Sequence, residues 1–297
     1  MISILIPTYN YSIVNLVNTL HQQVSKAAIP FEIIVVDDCS NELNILEQNK
    51  NINSLENCQL IENPQNLGRT ASRNLLSNKA IYNWLLFMDA DVLPKYNDFI
   101  SRFSLLENQD CQVIYGGVCY EEKRPELDKI LRWVYGIKRE TKSVKNRIKQ
   151  PYFIISQNLL IKKDIFTASN TSNLNAYGLD ILFSNNLLKN NVIVKHIDNP
   201  VYHFGLENSL TFLDKSLKAV KTTYLLEENN QIDKNLRPLQ KVFHILKKWK
   251  LIGFLRFLTD LFKNPIKSNL LSKNPSMFLF DLYRLRYYIK LKNNKSV

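Results

Sequence analysis

The sequence predicts an α/β fold: a mixed, mostly parallel sheet flanked by helices, with a helical, basic extension at the C-terminal end. Three observations predict it. Short β-branched apolar runs alternate with helical patterns over about the first hundred residues. Those runs carry no polar alternation, so both faces of the strands are expected to be covered, as in parallel sheets. The net charge of +12 is also uneven: residues 237–297 hold 14 bases and two acids, whereas residues 1–236 hold 25 of each. A neutral body with a basic appendage follows from that break.

In chain order, residues 2–6 form an apolar run stopped by Pro7. Ile13, Leu16, Val17 and Leu20 share one helical face. Residues 31–36 form a second strand, ending in Asp37 and Asp38, and residues 59–61 a third, closed by Asn63 and Pro64. Residues 68–80 read as a helix with Ala71, Leu75 and Leu76 inward. Residues 84–88 are a fourth strand followed by Asp89 and Asp91. A helix carrying Phe99, Phe103 and Leu106 precedes a strand at 113–115 that stops at Gly116 and Gly117. The base-rich stretch 123–149 reads as a mobile insertion. Residues 154–161 read as a strand holding Asn158, whose amide needs a partner there: a bound ligand or a loop. A loop at 176–180 opens a helix through Leu182, Phe183, Leu187 and Leu188, and residues 192–194 and 201–203 are late strands.

Composition excludes several classes. Hydrophobic residues at 45% and charged residues at 22% are ordinary for a globular chain, and seven glycines leave no collagen-like repeat. Four cysteines without a CxxC pair argue against a zinc ribbon or a disulfide scaffold, so reduced thiols in a cytosol are expected. No apolar run reaches the ~18 residues of a membrane span, and the opening run at 2–6 is too short for a signal-peptide core, so none is expected. No RNP-like or helix-turn-helix pattern accompanies the charge, so no nucleic-acid partner is expected. Residues 243–262 are apolar almost all round a helix, which points to burial against protein. A helix lying on an anionic membrane surface, with its bases reaching headgroups, is the other reading of 237–297.

The chemistry concentrates at strand ends, where ligands of such sheets bind. In an extended chain Asp89 and Asp91 would share one face, and paired carboxylates suit Mn2+ or Mg2+ beside substrate phosphates. Three more segments join them: Pro7-Thr8-Tyr9-Asn10, Val35-Val36-Asp37-Asp38-Cys39-Ser40 and Asn66-Leu67-Gly68-Arg69-Thr70-Ala71-Ser72-Arg73-Asn74. With Phe87-Met88-Asp89-Ala90-Asp91 they resemble, in order, the motifs of the family 2 glycosyltransferases, which have the GT-A fold. The resemblance is carried by the first third of the chain and extends to about residue 205.

With the charge break it gives a body over 1–236, with a nucleotide half at 1–110 and an acceptor half at 111–236, and a separate extension at 237–297. The resemblance implies that Asp38 accepts hydrogen bonds from the base or ribose, with Pro7, Thr8, Tyr9 and Asn66 around it. Arg73 would face diphosphate, where a guanidinium binds bidentately, or pair with one of the aspartates. Gly68 would permit close approach at a helix start. Asp89 and Asp91 would serve donor and metal, with His203 as a third metal ligand or a packed histidine. Asp180 would be the catalytic base, or else a helix cap. The family's acid before that base is Leu179 here, and its alanine before the arginine is Ser72. The implied reaction is a metal-dependent, inverting transfer from a nucleotide-sugar, a UDP-sugar foremost, to a glycan or lipid-linked acceptor. A non-catalytic nucleotide- or glycan-binding protein is the alternative. A nucleotidyltransferase would want a Gly- and Lys-rich loop after the first strand, which is lacking. The expected location is cytoplasmic, peripheral at the inner face of the membrane if the basic tail docks there.

Overall fold

The computed structural model describes residues 1–104, 110–172 and 174–293. Leu106 and Lys295 lie outside them. Strands and helices follow in the order β1 (Ile2–Thr8), α1 (Val14–Ala27), β2 (Phe31–Asp37), α2 (Leu43–Lys50), β3 (Cys58–Glu62), α3 (Arg69–Lys79), β4 (Trp84–Met88), β5 (Val92–Pro94), α4 (Phe99–Ser104), β6 (Val113–Tyr115) and β7 (Val118–Cys119). Then come α5 (Ile130–Tyr135), α6 (Val144–Arg147), β8 (Asn158–Lys162), α7 (Lys163–Ser169), α8 (Asp180–Lys189), β9 (Val194–His196), β10 (Val201–His203) and α9 (Ser209–Glu228). The chain continues with α10 (Pro238–Lys248), α11 (Ile252–Leu261), α12 (Lys263–Leu270) and α13 (Met277–Asn293).

Two compact units result. The first comprises 1–120, 140–175 and 186–205; the second comprises 121–139, 176–185 and 206–297. In the first, a seven-stranded sheet runs β3-β2-β1-β4-β8-β6-β9. All neighbours pair in parallel except β8, which is antiparallel to both β4 and β6. The unalternating sequence of β1, β2 and β4 is explained by burial: Ile4, Leu5, Ile6, Val35, Val36, Leu85, Leu86 and Phe87 are all fully covered. Pro7 sits in β1 where β4 has already ended, so its missing N–H breaks no ladder on that side. A second sheet, β5-β10-β7, sets His203 opposite Val92.

Three expectations are corrected. The stretch 123–149 is folded: Ile130, Leu131 and Val134 are buried in one cluster with Phe212, Leu270 and Phe280, so its charges lie around an apolar anchor. Arg147 is buried as well, and its guanidinium donates to the carbonyls of Tyr115, Gly116 and Ile197. The strand near 154–161 begins only at Asn158, whose Nδ2 donates to the carbonyls of Gly117 and Asn199 at 3.0 and 2.7 Å; its amide ties loops together. Residues 243–262 form two helices broken at Lys250, whose φ is +58°, and only one side of each is buried.

The second unit packs α9, α10 and α13 around Phe243, Leu285, Tyr288 and Ile289. Glu227 on α9 is buried there. It accepts from Lys292 Nζ at 2.6 Å, from Gln240 Nε2 at 2.9 Å and from the Tyr288 hydroxyl. Burial alone would raise its pKa, but these donors outweigh burial and hold the carboxyl below its usual value. A carboxyl with a depressed folded-state pKa contributes stability above its unfolded value of about 4.3 and loses it as pH falls. Glu227→Ala should therefore cost on the order of 3 kcal/mol at neutral pH. Glu227→Gln should flatten the stability loss below about pH 4. Urea unfolding between pH 3 and 7 checks both (~25 °C).

Candidate functional site

The carboxyl edge of the first sheet gathers four acids, each with its own donors. Asp37 accepts from Ser40 N and Ser40 Oγ, both at 2.7 Å. Asp38 is buried and accepts from Asn63 Nδ2 and Leu67 N at 2.9 Å and from Gly68 N at 2.7 Å. Asn66 Nδ2 adds a bond to the Asp38 carbonyl at 3.0 Å. One carboxylate thus shapes the loop that launches α3. Three of its roughly four acceptor positions are used by this loop. Gly68 is required there twice over: its φ is +82°, and a Cβ would fall 2.2 Å from Asn175 Oδ1.

α3 then presents Arg69 and Arg73 one turn apart, on one face. Arg69 Nη2 lies 2.8 Å from Asp89 Oδ2, and Arg73 Nη2 lies 2.7 Å from Asp89 Oδ1. Arg73 is buried over the ring of Phe87, and its guanidinium also donates to Ser156. The expected side-by-side carboxylates do not form by strand geometry. β4 ends at Met88 and β5 starts at Val92, so 89–91 is a turn and its two acids reach different partners.

Asp91 turns to His203, whose Nε2 stands 3.1 Å from Asp91 Oδ2. The β5–β10 register brings them together, and Phe204 N donates to the Asp91 carbonyl at 2.8 Å. Burial pushes the Asp91 carboxyl up, but His203 and then Arg69 outweigh it and hold its pKa below the usual value. The Tyr120 ring stands edge-on to His203, 5.4 Å between centroids. A Cβ on Gly205 would lie 1.8 Å from Asp91 Oδ2, so only glycine leaves this carboxylate its place. Tyr11 is close enough to feel Asp91: burial raises its phenol pKa, and the Asp91 charge raises it further.

Pro7, Thr8 and Tyr9 flank this edge at the end of β1. Thr8 is buried, with its Oγ1 donating to the Tyr11 carbonyl, while Tyr9 is exposed. The first unit therefore brings together Pro7, Thr8, Asp38, Asn66, Gly68, Arg73, Asp89, Asp91 and His203 along its strand ends. Asp180 belongs to the second unit, as the first residue of α8. Burial lowers the pKa of Arg237 in that unit, and the charge of Asp180 acts in the opposite sense. Sequence reasoning missed Arg69, Ser156, Tyr11, Tyr120 and Gly205. The spacing of Arg69 to Arg73 could have revealed the first; the others meet the site only through the fold.

Comparison with known proteins agrees with the first unit's motifs. The family model for glycosyl transferase family 2 matches residues 3–168. An uncharacterized glycosyltransferase of Haemophilus influenzae is 38% identical over 93 residues, 31% of this chain and 29% of that protein. The poly(ribitol-phosphate) beta-N-acetylglucosaminyltransferase TarS of Staphylococcus aureus is 35% identical over 107 residues, 35% of this chain and 17% of that protein. The matches thus span less than a third of either relative. Among solved structures, S. aureus TarS 1-349 in complex with UDP-GlcNAc superposes with a TM-score of 0.51 at 16% identity, over 99% of this chain and 91% of that one. The mannosyltransferase PcManGT from Pyrobaculum calidifontis, in complex with GDP-Man and Mn2+, gives 0.60 at 13% identity, over 99% and 87%. The shared architecture is the GT-A type.

The loop held by Asp38 gives a direct test. Asp38→Ala strands three N–H donors and should cost about 3 kcal/mol in urea unfolding. Asp38→Asn retains one carbonyl acceptor and should cost less.

Proposed function

The chain belongs to glycosyl transferase family 2, and on that premise we propose that it transfers a sugar from a nucleoside-diphosphate sugar, a UDP-sugar foremost, to a glycan or lipid-linked acceptor. The observation that carries this reading is the Asp91–His203 pair, 3.1 Å apart, next to the two guanidiniums on Asp89. A nucleoside diphosphate leaves with concentrated negative charge, and cations aimed at that charge lower the barrier.

The residues present fit Mn2+ or Mg2+. One carboxylate and one imidazole converge, and Gly205 keeps the carboxylate in place. No group of three or more His, Cys, Asp or Glu side chains able to hold a metal occurs among the described residues. Two protein ligands leave room for water and phosphate oxygens, a usual set for a hard cation. When bound, the metal supplies charge neutralisation to the departing diphosphate. In this reading Asp91 and His203 would hold the metal, while Asp89, expected as a further ligand, is taken up by Arg69 and Arg73 and would orient them toward the phosphates. Asp38 offers its remaining acceptor position to the base or ribose beside Pro7, Thr8, Tyr9 and Asn66, with Gly68 at the close approach. Asp180 takes the proton of the acceptor hydroxyl, and single displacement inverts the anomeric carbon. A lipid-linked acceptor would set this work on the cytoplasmic side, at the inner face of a membrane.

A second reading is a protein that binds nucleotide or glycan without turnover. Leu179, where the family has an acid, is buried in an apolar cluster, and Asp180 lies in the field of Arg237. Turnover of a UDP-sugar with Mn2+ decides between them. Asp180→Asn should lower kcat by about 10²–10⁴ with little change in donor KM. Tight nucleotide binding with no turnover under any acceptor would favour the second reading. Gly205→Ala should displace the Asp91 carboxylate and weaken Mn2+-supported UDP binding by about tenfold or more, read by titration calorimetry.

A further inference from the structure

The second unit carries a surface that the transfer reaction does not use. One face of α10 places Phe243 in the buried cluster around Tyr288 of α13, with Leu239 and Leu246 half-buried against it, and Ile252 and Leu255 of α11 pack there half-buried too. The opposite faces are apolar too. Val242, Ile245 and Trp249 recur at helical spacing on or just past α10, and Phe254, Phe257 and Leu261 recur on α11, each between 42 and 70% exposed. A Cβ on Gly253 would meet nothing within 4 Å, so this side of α11 is open. An exposed stripe of this size on two adjoining helices marks an interaction surface.

The charges around it select the partner. Residues 241–267 contain seven bases and one acid, and six of the seven bases are lysines. The acid, Asp260, is taken up by Arg286 at 2.6 Å. Cores of protein interfaces are poor in lysine. Lysines flanking Trp and Phe instead suit a lipid boundary, where rings enter the headgroup layer and ammonium groups meet anionic phosphates. Helices of 11 and 10 residues are about 16 and 15 Å long. That is half the roughly 30 Å of a hydrocarbon core, so these helices can lie in the interface but cannot cross it. No helix of the described residues is long and apolar enough to span a membrane.

We propose that α10 and α11 dock on an anionic lipid surface, with Trp249, Phe254 and Phe257 entering the headgroup layer and Lys247, Lys248 and Lys250 binding its phosphates. The docking goes beyond the transfer reaction and stands whether or not the chain turns over a sugar.

The test is flotation of the whole chain with phosphatidylcholine vesicles made with and without phosphatidylglycerol. The chain should float with phosphatidylglycerol vesicles, remain behind with phosphatidylcholine alone, and be released by salt. The triple variant Trp249→Ser, Phe254→Ser, Phe257→Ser should bind at least about tenfold more weakly, with unchanged circular dichroism and Tm. The charge variant Lys247→Gln, Lys248→Gln, Lys250→Gln should lose the preference for phosphatidylglycerol. Equal flotation with both vesicle types, or triple-variant binding equal to wild type, overturns the proposal. So does a dimer in sedimentation that the triple variant abolishes without any vesicle binding, because the ridge would then be covered by a second copy.

Discussion

Strands that run in parallel bring their carboxyl ends to one edge, and this chain ends two of them in acid pairs. Asp37 and Asp38 close β2, and Asp89 and Asp91 follow β4, the two neighbours of β1. Like charges gathered along one edge repel one another. Each acid therefore needs its own donors, and the surrounding loops supply them. Ser40 serves Asp37, the amides of 67 and 68 serve Asp38, two guanidiniums serve Asp89, and His203 serves Asp91.

Meeting that electrostatic demand also builds the site. The bonds to Asp38 set the start of α3, and α3 sets the two arginines. The antiparallel β8 brings Ser156 to Arg73, and the small β5-β10-β7 sheet brings His203 to Asp91. Fold and chemistry share the same few contacts. Substituting one of these acids should therefore disturb loop geometry as well as ligand affinity.

Much of this was legible in the sequence because it is local. Buried parallel strands read as unbroken apolar runs, and the acids follow them directly. The alternation rule failed at Asp89 and Asp91 because the chain turns out of β4 between them. Ser156, Tyr120 and Gly205 could not be read because they reach the site through strand pairings distant in sequence. The stretch 123–149 was misread because its many bases hide three inward apolar residues, Ile130, Leu131 and Val134. In α10 and α11, an all-round apolar composition suggested burial. The structure covers one side of each helix and leaves the other in water.

The proposed role of Asp91 and His203 is to hold a cation against the diphosphate of a nucleotide. A crystal of the chain grown with UDP and Mn2+, measured for anomalous scattering at the manganese edge, tests it most directly. An anomalous peak shared by Asp91, His203 and the diphosphate is expected, with the guanidiniums of Arg69 and Arg73 beside the phosphates. A bound diphosphate with no peak at Asp91, or a peak distant from it, would rule this role out.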